Sequence, residues 1–265
     1  MTSTTRILGI GITIALMSAC GEEGDPSELE FRAETLIPPR PPGGTGFVNN
    51  GLHDPQVGGI DPAHPLATSA GLNGALLDDP DRLATARYVV ECALPEGVTV
   101  TTDVDGLSTN FHGLMGLAPE WEDDACDEDC QEWVTACVLA RTNVSGQSVA
   151  LWLKGDHPAL GTGMDLSYPI YEASFFGNLF ADEDAQYMCP GLLVGPLLAQ
   201  LQGRTCSATL GGYCDMTSYS ACTLLPLLNA RCGFQGLPTS PTLTNCRPGT
   251  SPDGLHTISS YVHAL

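Results

Sequence analysis

Lysine is nearly missing from this chain. It occurs once, at Lys154, and Lys and Arg together number 10 against 31 Asp and Glu, a formal net charge of −21. So acidic a protein repels phosphate backbones and anionic lipid head groups, which argues against nucleic acid as a partner and for cations or basic partners. No Cys-x-x-Cys pair exists; the closest spacing is Cys126-x3-Cys130, so the usual structural-zinc and thiol-redox signatures are missing. Also absent are Gly-x-Ser-x-Gly, His-Glu-x-x-His, a phosphate-binding P-loop and a dinucleotide fingerprint. Those absences remove the motif-level routes to an enzyme assignment without excluding catalysis.

The N-terminus carries the clearest positive signal. Arg6 precedes an apolar run of eleven residues, Ile7 to Met17. That is the length of a signal-peptide core and too short to cross a hydrocarbon layer of about 30 Å as a helix. The run ends in small residues before a cysteine. Leu16-Met17-Ser18-Ala19-Cys20 resembles the bacterial lipobox, departing from it at Met17, where leucine is preferred. The resemblance implies cleavage before Cys20, diacylglycerol and palmitate attachment there, and a membrane anchor. With Gly21 rather than Asp after the cysteine, it also implies delivery to the outer membrane of a two-membrane cell. Gly21 to Asp25 and Pro38-Pro39-Arg40-Pro41-Pro42-Gly43-Gly44 suit a polar, partly stiff tether. The expected organisation is a signal peptide at 1–20, a tether at 21–75 and a globular domain at 76–265.

Beyond Cys20 lie ten cysteines: Cys92, Cys126, Cys130, Cys137, Cys189, Cys206, Cys214, Cys222, Cys232 and Cys246. An even number in an exported chain predicts disulfides, with connectivity open. Asp79 followed by Pro80 and Asp81 reads as a helix start, with Leu83, Ala86, Val90 and Ala93 on one face and Pro95 after its end. A second helix is expected over 124–142, where Cys126, Cys130, Trp133, Cys137 and Arg141 fall three or four residues apart. That stripe suggests a helix stapled by three bridges at the centre of the domain, with Arg141 meeting its final carbonyls. Strands are expected at 98–102, within 107–121, at 147–154 and at 255–262, with two strand-like pieces around a bend in 168–180. The stretch 191–201 is ambiguous because of Pro196. The fold class is therefore α+β: a loop-rich, disulfide-stapled single domain with two main helices on a small, mostly antiparallel sheet.

Candidate chemistry is thin. Asp156-His157-Pro158 on a turn after a strand, His112 on a strand, and Glu172 offer one histidine and one acid for a hydrolase. Asp103 and Asp105, with Ser108 and Asn110, make an oxygen-rich turn that could hold calcium or simply be a turn. Eight acids crowd residues 120–132; helix-start electrostatics explains much of the cluster, and a cation-binding or basic-partner surface is the sharper alternative. The stretches Cys130 to Asn143, Gly155 to Gly161, Phe176 to Phe180 and Gly203 to Cys206 resemble uncharacterised cysteine-rich exported proteins of the myxobacterial type. That resemblance implies a shared disulfide domain and transfers no activity. The functional expectation is a cell-envelope lipoprotein acting as a binding or structural module toward a protein or glycan. The alternative is a secreted hydrolase acting on an envelope polymer.

Overall fold

The computed structural model describes residues 47–104, 106–163, 165–181, 185–191, 194–204, 214, 216–219, 231–237 and 240–264. The lipobox with Cys20, together with Asp105, Cys206 and Cys222, lies outside them.

The first strand, β1 (Phe47–Asn50), falls inside the segment expected to be tether. It pairs antiparallel with β4 (Val149–Lys154) and buries Val48. The chain then runs without regular structure to a 3-10 turn at Gly74–Leu77, yet Leu52, Leu66, Leu72 and Leu76 are fully buried. The expected boundary at residue 76 is thus corrected: the body reaches back at least to Phe47. Periodicity is missing because Leu52, Leu66 and Leu72 reach the core from irregular backbone, which has no fixed side-chain repeat. Their backbone bonds go elsewhere, as when the Leu66 amide donates to Trp121, the Cys126 amide to Pro62 and the Trp121 indole to His64.

Helix α1 (Pro80–Ala93) starts where its sequence predicts, with the Asp79 carboxylate accepting the Asp81 amide. Strands β2 (Thr99–Val104) and β3 (Leu107–His112) form an antiparallel hairpin. Helix α2 (Glu128–Ala140) is shorter than expected, because Asp127 caps it by accepting the Cys130 amide and leaves Cys126 outside. It packs on the central strands β5 (Ile170–Gly177) and β10 (Thr257–Val262), and α1 packs on α2. After β6 (Gln186–Pro190) comes α3 (Val194–Leu201), with Pro196 in the first turn, where no intrahelical amide bond is lost. Next come β7 (Thr217–Ser218), β8 (Gly233–Leu237) and β9 (Ser240–Thr244), the last two forming a hairpin.

The main sheet has the order β1-β4-β10-β5-β6-β7, antiparallel except for β6–β7. The helices cover one face. The β8–β9 hairpin covers the other, over Trp152, Tyr171, Phe176 and Tyr261. With both faces covered, every residue of β10 is buried, so its alternation in sequence does not separate core from solvent. The region 168–180 holds one strand rather than two. Its irregularity is a bulge near the start of the strand: Ser260 faces Ala173 and Tyr261 faces Tyr171, which leaves Glu172 as the extra residue.

Three bridges are placed among the described residues. Cys92–Cys137 ties α1 to α2, Cys126–Cys130 closes the turn before α2, and Cys232–Cys246 locks the hairpin base. Cys189 and Cys214 are disulfide-bonded as well. The expectation of three bridges on α2 is corrected to two, because Cys126 and Cys130 pair with each other. The disulfide-stapled α+β fold itself is as expected.

Candidate functional site

The first two turns of α2 place Asp129, Glu132 and Trp133 within one helical repeat, so their side chains leave the same side of the helix. Two histidines from neighbouring strands reach that side. His256 directly precedes β10, and His157 lies in the turn after β4. The His256 ring stacks on Trp133 with centroids 4.3 Å apart and an interplanar angle of 13°; the His157 ring meets Trp133 edge-on at 4.9 Å. Gly155 makes this approach possible, because a Cβ there would lie 2.8 Å from Leu160 and 3.3 Å from Trp133.

Hydrogen bonds fix the cluster. His256 Nε2 contacts Asp129 Oδ1 at 2.5 Å, and the His256 amide donates to Glu132 Oε2 at 2.9 Å. The Ala159 amide donates to His157 Nδ1 at 3.1 Å. Burial holds the His157 pKa below that of a free histidine; repulsion from His256 adds to this, and attraction by Asp129 and Glu120 opposes it. Burial likewise raises the Glu132 carboxyl, against the amide bond it accepts. The outer edge is open, with Asp129 71% exposed and His256 25% exposed at the side chain. The arrangement presents two imidazoles of different exposure and the Asp129 carboxylate, held over a Trp133 indole that is itself buried. It suits a cationic or polar group, and His256 with Asp129 also has the pairing a general base requires.

Of the candidate catalytic residues singled out from sequence, only His157 belongs to this cluster, joined by Asp129 and Glu132 of the acidic run. Asp156, its chain neighbour, accepts a bond from Gln235 Nε2 at 3.2 Å instead. His112 contacts the Thr99 hydroxyl at 3.0 Å on the exposed β2–β3 hairpin. Glu172 is fully buried, bound at 2.7 Å to both Arg204 Nε and the Ser260 hydroxyl. It forms a buried ion pair with Arg204 and stands apart from the histidine cluster. In the oxygen-rich turn, the Asp103 carboxylate accepts the Gly106 amide, with Gly106 at φ +85°. The sulfurs of Cys189, Cys232 and Cys246 converge, but all three cysteines are disulfide-bonded, so they offer a metal no thiolate.

The partners of two positions escaped the sequence reading. His256 is 127 residues from Asp129 and 124 from Glu132, so nothing local marks it. Arg204 donates to the Thr142 and Ala140 carbonyls at 2.6 and 2.7 Å, closing the end of α2. That is the role expected of Arg141, which instead pairs with Glu91 and lies 4.2 Å over the Tyr88 ring. The single lysine, Lys154, is also buried. Its Nζ donates to the Ser240 carbonyl and hydroxyl, and burial lowers its pKa.

Comparison with models of protein families, with characterised proteins and with solved structures finds no match to this chain.

Proposed function

We propose that this chain is an exported, lipid-anchored envelope protein whose disulfide-locked body is a binding module. Its contact surface is the acidic face of α2 around Asp129 and His256, with Glu132 and Trp133 buried beneath. The observation that supports it most is the oxidised state of every described cysteine of the body. Such bridges persist in oxidising compartments outside the cytoplasm. The lipobox-like Leu16 to Cys20 agrees with that address, and an exposed carboxylate backed by a rigid, buried indole is a surface for a basic protein segment or a polar glycan.

A second reading, a hydrolase acting on an envelope polymer, is favoured by the contact between His256 and Asp129. Expression in a bacterial host with radiolabelled palmitate tests the proposed address. The wild type is expected to carry label in the membrane fraction and Cys20→Ala to carry none. Equal labelling of both, or of neither, would overturn the anchored assignment.

A further inference from the structure

Two disulfides meet on the face of the main sheet that the β8–β9 hairpin covers. Cys189 lies in β6, opposite Ser174 of β5, and is fully buried. Its own bridge runs to a cysteine other than Cys232 and Cys246, since those two pair with each other. Yet the sulfurs of all three lie within 4.8 Å of one another, a little beyond van der Waals contact. Backbone bonds hold them there. The Cys246 amide donates to the Thr257 hydroxyl at 3.1 Å and its carbonyl accepts the Leu255 amide at 2.9 Å, which fixes that sulfur beside the start of β10. The mouth of the hairpin has a second closure. The Arg247 amide donates to the Arg231 carbonyl at 2.9 Å, and Arg231 Nη1 donates to the Arg247 carbonyl at 2.6 Å. With these bonds and the β8–β9 ladder, the strands stay paired when the Cys232–Cys246 bond is opened. Cys232 is the partly exposed member of the three, whereas Cys189 and Cys246 are fully buried.

We infer that Cys189, Cys232 and Cys246 form a thiol–disulfide exchange centre, which accepts an outside thiol at Cys232 and passes the hairpin bridge to the main sheet. Exchange requires a thiolate beside a disulfide sulfur. A thiol from outside, small or protein-borne, opens Cys232–Cys246: its sulfur bonds to Cys232, and Cys246 leaves with the electron pair. The Cys246 thiolate then attacks the Cys189 sulfur. A Cys189–Cys246 bond forms and the bond from Cys189 to its former partner breaks. That partner leaves as a thiolate and takes up the proton the entering thiol gave up. Disulfides and thiols are conserved in number, so nothing beyond the entering thiol is consumed. The second step runs between sulfurs already gathered in the core, so it needs no solvent access. Among the described residues no third sulfur gathers in this way at Cys92–Cys137 or Cys126–Cys130. The centre is separate from the surface around His256 and stands whether or not that surface binds a partner.

The test follows the odd thiol that a single cysteine-to-serine change leaves behind. Oxidised, exported protein is quenched in acid, its free thiols are alkylated under denaturing conditions, and its peptides are mapped by mass spectrometry. In Cys232→Ser the thiol is expected to leave Cys246, giving a Cys189–Cys246 peptide with the label on another cysteine. Cys126→Ser is the control, in which the label is expected to stay on Cys130. Folded wild type incubated with reduced glutathione is expected to give the same Cys189–Cys246 peptide, with glutathione on Cys232. That product is expected to form about tenfold faster at pH 7 than at pH 6, as the thiolate fraction rises. The wild-type arm holds even where a variant fails to fold. Absence of the Cys189–Cys246 peptide from glutathione-treated wild type, a label that stays on Cys246 in folded Cys232→Ser, or equal scrambling in Cys126→Ser would each overturn the assignment.

Discussion

Replacing Arg204 by methionine tests how the centre of the domain is held. Arg204 and Glu172 are both fully buried, and the guanidinium makes three bonds: Nε to Glu172 Oε1 at 2.7 Å, Nη1 to the Thr142 carbonyl at 2.6 Å and Nη2 to the Ala140 carbonyl at 2.7 Å. The bulge in β5 turns Glu172 toward the helices, and Ser260 bonds its second oxygen at 2.7 Å. Arg204→Met strands a buried carboxylate and removes the donors from two carbonyls at the end of α2. Breaking a buried pair from one side costs about 3–5 kcal/mol, and each orphaned carbonyl adds roughly 1 kcal/mol or more. The expected loss is therefore at least about 5 kcal/mol, a large part of the roughly 5–15 kcal/mol that holds most domains together. Glu172→Gln leaves the positive charge buried and keeps an acceptor, so its cost is expected to be smaller. The double variant removes both charges and should recover part of the loss, a coupling of about 1–3 kcal/mol. Urea denaturation with the disulfides intact measures all four corners of the cycle, and unchanged m-values license the comparison. A cost under about 1 kcal/mol for Arg204→Met, or strict additivity in the double variant, would refute the view that this pair organises the α2–β5–β10 core.

Two further outcomes are expected. The Cys92–Cys137 bridge spans 45 residues and Cys126–Cys130 spans 4, so loop-closure entropy gives about 4 kcal/mol for the first and about 2 kcal/mol for the second. Denaturation of Cys92→Ser/Cys137→Ser and Cys126→Ser/Cys130→Ser is expected to show that order; the reverse order would refute the α1–α2 clamp as the dominant staple. Burial holds the His157 imidazole below the ordinary histidine value of about 6.5 in the folded state, so as pH falls through that value the unfolded chain takes up the proton first and stability declines. Melting curves are expected to show wild type losing stability relative to His157→Gln as pH falls from about 6.5; a difference that stays flat with pH would refute the buried placement of His157.

The sequence determined the elements whose causes are local. Asp79-Pro80 starts α1 because the cap and the fixed proline φ act within one turn. The 3.6-residue spacing marked α2, and the even cysteine count marked a bridged body. Tertiary structure alone decided the rest. Leu52, Leu66 and Leu72 joined the one core without periodicity because they stand on loop segments outside any helix or named strand. Cys126 bonded to Cys130 because the Asp127 cap puts Cys126 before the helix. Glu172 became a structural ion pair because a bulge aims it at an arginine 32 residues away. His256 met Asp129 and Trp133 only because β10 lies beneath α2. Local propensity acts over a few residues, whereas a site is made where distant segments touch, and no spacing along the chain encodes that contact.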